Sequence, residues 1–393
     1  MIAPSPASFR RSHTAAKALY FLVFAAIGIF STFINLYYQN IGLDGTQIGL
    51  INTVSPLVGI FSALLGGMLS DRFGKNRVLF VISCLGIILS TWGLAAAGSF
   101  PLILLASSGI GLFISPLMSL LDSVTLRLLG DRRDRYGLYR VWGTLGFIVT
   151  STTFGYLMDR WGYGVLFIGY AAIFALFMFA ALGLPDQPTA ANSLVFKGVK
   201  DIIGKPRWIL FAVTSFLVWT ATTGLVVYLN IFLKDLGSSD QLIGFTMAAA
   251  AVSELFIFPF SALWLRKLGS TRLLVIGMIG YVLRMFFFST LIHVAWGPAV
   301  NLLNAVSYAP FFIGSVAYAS DVAPQHLKAT SQGLLYAIMN LASVLGALVC
   351  GWLFDFAGPV QLFRIVAACT LVALVLFAGS QLVFMKKKPG VTI

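Results

Sequence analysis

The stretch "GGMLSDRFGKNRVL", residues 66–79, decides the fold. Asp71, Arg72, Lys75 and Arg77 crowd into it, yet apolar runs flank it on both sides. These are "QIGLINTVSPLVGIFSALLG" before it and "VLFVISCLGIILSTWGLAAA" after it. Each run has about the 20 residues that carry an α-helix across a bilayer. The charged patch must then sit where the chain meets water again.

The rest of the chain follows the same rule. Of its 393 residues 59% are hydrophobic and 10% are charged, too few charges to coat a soluble protein of this length. The apolar runs are too long for membrane strands and do not alternate strictly, so they read as helices. We place twelve spans, at 17–39, 46–69, 77–98, 101–126, 138–159, 163–184, 207–233, 240–265, 271–293, 297–320, 329–354 and 360–384. The fold class expected is all-α: a membrane protein of twelve transmembrane helices.

A net charge of +13 would suggest nucleic acid in a soluble protein. Here placement decides otherwise. With the N-terminus in the cytoplasm, all Lys and Arg except Arg160, Lys234, Arg284 and Arg364 fall on or beside the cytoplasmic side. That is the positive-inside pattern, and it puts both termini inside. The expected location is the cell inner (plasma) membrane. No nucleic-acid partner is expected. Cys84, Cys350 and Cys369 all lie in apolar spans without metal-ligand spacing, so they read as packing residues. The first span is too long for a cleaved signal core and reads as retained.

Six spans precede the polar segment 185–206, "PDQPTAANSLVFKGVKDIIGKP", and six follow it. The domains are therefore a tail at 1–16, a bundle at 17–184, a cytoplasmic loop at 185–206, a second bundle at 207–384 and a tail at 385–393. Residues 194–203 of the loop form either a short amphipathic surface helix or a plain linker. The bundles echo each other: "GYLMDRWG" at 155–162 matches "GWLFDFAG" at 351–358, and "GMLSDRFG" at 67–74 faintly matches "ALWLRKLG" at 262–269. Duplicated six-helix bundles related by an axis along the membrane normal leave a cavity near mid-membrane.

"GMLSDRFGKNR" resembles the loop motif that follows the second helix in the major facilitator superfamily, with Gly67, Leu69, Asp71, Arg72, Gly74, Lys75 and Arg77 at the matching positions. The resemblance implies that Asp71 locks the two halves on the cytoplasmic side. Physics agrees that an acid at a helix C-terminus is unfavourably placed and seeks outside partners, such as a basic side chain or the start of the eleventh helix. Arg266 stands at the echo of Asp71, so the lock is expected to be one-sided.

Ionisable groups inside spans are costly and mark function. Glu254 in helix 8 and Arg284 in helix 9 lie at one depth on antiparallel neighbours, so a salt bridge is feasible. A buried pair does little more than offset its own desolvation, which favours a working role. Asp122 and Arg140, on helices 4 and 5, face the cavity if those helices extend past the membrane, and are interfacial charges if they do not.

These positions make the chain similar to the lactose permease branch of the superfamily, with its nucleoside and phenylpropionate permeases. That resemblance assigns solute contacts to Asp122, Arg140 and Phe147, and matches Glu254 and Arg284 to the branch's helix 8 glutamate and helix 9 arginine. Two departures stand out in "NLLNAVSYAP": Asn304 replaces a frequent histidine, and Ser307 replaces the usual proton-carrying glutamate. A proton coupling would then fall to Glu254 or Asp122.

In that fold helices 1, 4, 7 and 10 line the cavity. Their candidates are Asn35, Tyr38, Trp219, Thr222, Thr223, Asn304 and Tyr308, whose amides, hydroxyls and rings suit hydroxylated or heteroaromatic solutes. The expectation is a monomeric secondary transporter of a sugar, nucleoside or aromatic acid, working by alternating access as a proton symporter. The alternatives are an efflux carrier, which the resemblance disfavours because the superfamily's drug antiporters carry a Gly-Pro motif in helix 5 and this helix 5 has no proline, and a non-transporting sensor or assembly protein. No enzyme, cofactor or metal site is expected: metal spacing, a nucleophile–base arrangement and a phosphate loop are all missing from the sequence.

Overall fold

The computed structural model describes residues 6–73, 76–130, 135–183 and 202–386. Among them the regular structure is helical. The helices are α1 Pro6–Asn40, α2 Gly45–Phe73, α3 Asn76–Ala95, α4 Phe100–Leu129, α5 Tyr136–Trp161, α6 Gly164–Ala181, α7 Pro206–Asp235, α8 Asp240–Ile257 and α9 Ser261–Ser289. The tenth crossing is two helices, α10a Gly297–Asn301 and α10b Tyr308–Val322, and α11 Lys328–Ala357 and α12 Pro359–Lys386 complete the chain.

Among the described residues ten stretches are long and apolar enough to cross a membrane. One of them, Asp240–Ser289, is two crossings in one, because a straight helix of 50 residues would run about 75 Å against a core of about 30 Å. The chain turns at Gly269, whose φ of +73° and ψ of 166° suit a residue without Cβ. With α5, whose run carries Arg140, Asp159 and Arg160, the crossings number twelve. The chain is an all-α membrane protein.

The crossings form two compact units. Unit 1 comprises Met1–Ser193 with Gly237–Ala251; unit 2 comprises Leu194–Leu236 with Val252–Ile393. The sequence alone puts all of the eighth span in the second bundle, whereas the first part of α8 packs in unit 1. Residues 184–201, with nearly all of the central loop, lie outside the described residues.

Lipid offers no hydrophobic drive between helices, so small residues that admit close backbone contact hold them. In unit 1 a Cβ on Gly146 of α5 would collide with the backbone carbonyl of Phe21 on α1. In unit 2 a Cβ on Gly346 of α11 would meet the Thr220 carbonyl of α7 at 2.9 Å. Cys84 and Cys350 are buried free thiols, and Cys369 is partly buried.

Candidate functional site

In each unit a cluster of polar side chains among apolar helices holds residues selected from the sequence. In unit 1 it centres on Asp122, near the end of α4. The hydroxyl of Tyr20 on α1 donates to its Oδ1 at 2.5 Å, and that of Tyr136 on α5 donates to the same oxygen at 2.8 Å. Tyr136 opens α5, and Arg140 follows it one turn later on the same face. The Arg140 guanidinium lies over the Phe24 ring, 4.7 Å from its centroid. The cluster thus offers a carboxylate held by two phenols beside a cation held by a ring. Phe147, two turns further along α5, is half-buried.

The cluster in unit 2 centres on Arg284, which is only 7% exposed and so must be solvated by protein. Its Nε donates to Asn301 Oδ1 at 3.2 Å, and its Nη2 donates to the same oxygen. Its Nη1 donates to Asn304 Oδ1 at 2.6 Å. The Asn304 amide turns its Nδ2 to Glu254 Oε1, at 2.8 Å. Asn304 therefore joins the cation to the acid, passing a change at one to the other.

Aromatic rings lie close by. Trp219 of α7 meets Tyr308 edge-on with centroids 6.2 Å apart, and Phe311 at 5.5 Å. Tyr308 stacks on Phe312 at 5.8 Å. The Trp219 indole is buried, and its Nε1 donates to no group among the described residues. A buried donor without an acceptor costs stability unless something else supplies one.

Other residues selected from the sequence have hydroxyls and amides engaged inside the helices. Tyr38 is buried and shares a 2.7 Å hydrogen bond with Ser107. Asn35 accepts from Asn52 at 2.9 Å. Thr222 and Thr223 donate back to the carbonyls of Val218 and Trp219. Arg77 is exposed at the start of α3. Gly67, Asp71 and Arg72 are described only by their place in α2, and Gly74 and Lys75 lie outside the described residues. A cavity of about 570 Å³ in unit 2 is lined by Lys205, Arg207, Ser270, Tyr318, Asp321 and Gln381 among others, and by none of the residues selected from the sequence.

Sequence reasoning missed Tyr20, Phe24, Tyr136 and Asn301. Two of these left a signal. Tyr136 stands four residues before Arg140, and Asn301 three before Asn304, so each shares a helical face with its neighbour.

The profile of the MFS_1 like family matches residues 13–365. The uncharacterized transporter YwbF of Bacillus subtilis (strain 168) is 26% identical over 356 residues, 88% of each chain. The maltose permease of Geobacillus stearothermophilus is 27% identical over 379 residues, 93% of this chain and 95% of that one. The crystal structure of the nucleoside transporter NupG superposes with a TM-score of 0.82 at 19% identity, covering 96% of this chain and 99% of that one.

Proposed function

This chain belongs to the MFS_1 like family of the major facilitator superfamily of membrane transporters, and we propose that it is a proton-coupled symporter for a small hydroxylated or aromatic solute of the sugar, nucleoside or aromatic-acid class. It works by alternating access across the cell inner membrane, as a monomer with both termini in the cytoplasm.

The observation that carries this reading is the Arg284–Asn304–Glu254 chain beside Trp219 and Tyr308. A guanidinium and a carboxylate in membrane helices mark a solute or ion path. A solute that draws on Arg284 changes the field at Glu254 through the shared amide, and so its hold on a proton. The rings supply stacking faces. In unit 1, Asp122 and Arg140 bind hydroxyl or amide groups of the solute, with Phe147 as a stacking partner. The names of the maltose permease and of NupG support the solute class. Asp71 with Gly67, Arg72, Gly74, Lys75 and Arg77 forms the gating motif, and Asn35, Tyr38 and Thr223 complete the lining.

Uptake by proteoliposomes under an inward proton gradient tests this reading. Accumulation of a sugar, nucleoside or aromatic acid that collapses with a protonophore supports it; equilibration indifferent to the gradient rejects the coupling. Extrusion against the gradient would favour export.

A further inference from the structure

The tenth crossing is not a continuous helix. α10a ends at Asn301, a 3₁₀ turn runs over Leu302–Ala305, and α10b begins at Tyr308. Pro310 explains why the helix restarts. It has no N–H to give the Val306 carbonyl one turn back, and its ring crowds that carbonyl. In the first turn of α10b the same proline is tolerated.

One stripe of α9 seats this break. Gly277, Gly280 and Arg284 follow at three- and four-residue spacing on one helical face. A Cβ on Gly277 would meet the Phe311 nitrogen at 2.5 Å, and one on Gly280 would meet Ser307 Cα at 2.8 Å. The glycines thus admit the broken backbone, and Arg284 ties its side chains. Arg284 reaches Asn301 and Asn304 together.

The shape of the turn makes this fork possible. In a 3₁₀ helix residues three apart eclipse one another, with about 2.0 Å of rise each. An α-helix puts the second about 60° off line and nearer along the axis. Both amide oxygens therefore fit one guanidinium while 302–305 stays tightly wound.

We propose that Asn301 is a positioning residue. With Asn304 it clamps Arg284 and holds the tenth crossing in its 3₁₀ form, so the placement of Arg284 and Glu254 is tied to the winding of that turn. A solute that recruits Arg284 loosens the clamp and frees the turn to rewind. This rests on the reading of Arg284 as a solute-handling group.

Hydrogen exchange of the full-length protein in detergent, without solute, tests the clamp. In Asn301→Ala the amides of 302–308 should exchange at least about tenfold faster, as losing hydrogen bonds to a charged group demands. Asn301→Asp still offers an acceptor and should keep protection. Peptides of α12 should exchange as in the wild type in both. If Asn301→Ala does not fold, Arg284→Lys, which keeps the charge and loses the fork, should show the same local loss. Unchanged exchange at 302–308, equal loss in Asn301→Asp, or a loss spread evenly over unit 2 overturns the proposal. Because no solute is used, a wild type that moves none would sink the transport reading and leave this result standing.

Discussion

Asp159, at the end of α5, caps the first turn of α8: its two carboxylate oxygens accept the backbone N–H groups of Asp240 and Gln241 at 2.8 and 2.9 Å. The first amides of a helix have no partner within it, and an anion there also meets the positive end of the helix dipole. Close packing completes the seat, since a Cβ on Gly155 would meet the Asp240 carbonyl at 2.5 Å. All of this lies within unit 1.

Asp159→Ala is expected to lower stability by about 1–2 kcal/mol, the worth of a charged helix cap. The amides near 240–243 should exchange faster than in the wild type. Melting and hydrogen exchange in detergent check this; a variant protected like the wild type would show that the cap holds nothing.

The Gly146 contact predicts a cost for one added methyl. Gly146→Ala pushes a Cβ into the Phe21 carbonyl, and both groups belong to long helices that cannot yield locally. Overpacking of this kind costs about 1–3 kcal/mol. A melting point equal to the wild type would mean that α1 and α5 slide apart freely.

For Asp122, loss of charge should be separable from loss of structure. Asp122→Asn leaves an oxygen for the Tyr20 and Tyr136 hydroxyls, so the fold should persist. Solute uptake should fall at least about tenfold if the carboxylate binds solute, since hydrogen bonds to charged groups are worth about 1.5–3 kcal/mol. Normal uptake with a normal melting point would remove Asp122 from the solute path.

Trp219 gives the opposite test. Its indole N–H has no acceptor among the described residues, so Trp219→Phe loses no internal hydrogen bond and should cost only the packing of the lost ring atoms, about 1–2 kcal/mol. Affinity for a sugar or nucleoside with an acceptor should fall roughly five- to tenfold, about one hydrogen bond. Isothermal titration measures it, and unaltered affinity would assign the ring to packing alone.

Much of this architecture was legible because lipid imposes it. A run of about 20 apolar residues must span, and charge between runs must return to water. The meeting of Glu254 and Arg284 in one network follows from their equal depth on neighbouring helices, which rise per residue supplies. What the sequence hid is the partner each polar side chain finds. Tyr38 meets Ser107 and Asn35 meets Asn52 within unit 1, and nothing in their spacing says so. The sequence offered 297–320 as one span; Pro310 marks its break, yet Pro56 and Pro116 sit inside unbroken α2 and α4. Proline alone does not tell a break from a tolerated kink; the glycines of α9 that make room for the break decide it here.

The central claim is that Glu254 carries the proton that drives solute entry, and Glu254→Gln tests it most directly. In proteoliposomes the wild type should accumulate solute under an inward proton gradient and take up protons when solute is added. The variant keeps an oxygen to accept from Asn304, so it should still exchange solute in counterflow while losing both proton-linked responses. Gradient-driven accumulation that survives in Glu254→Gln would contradict the account.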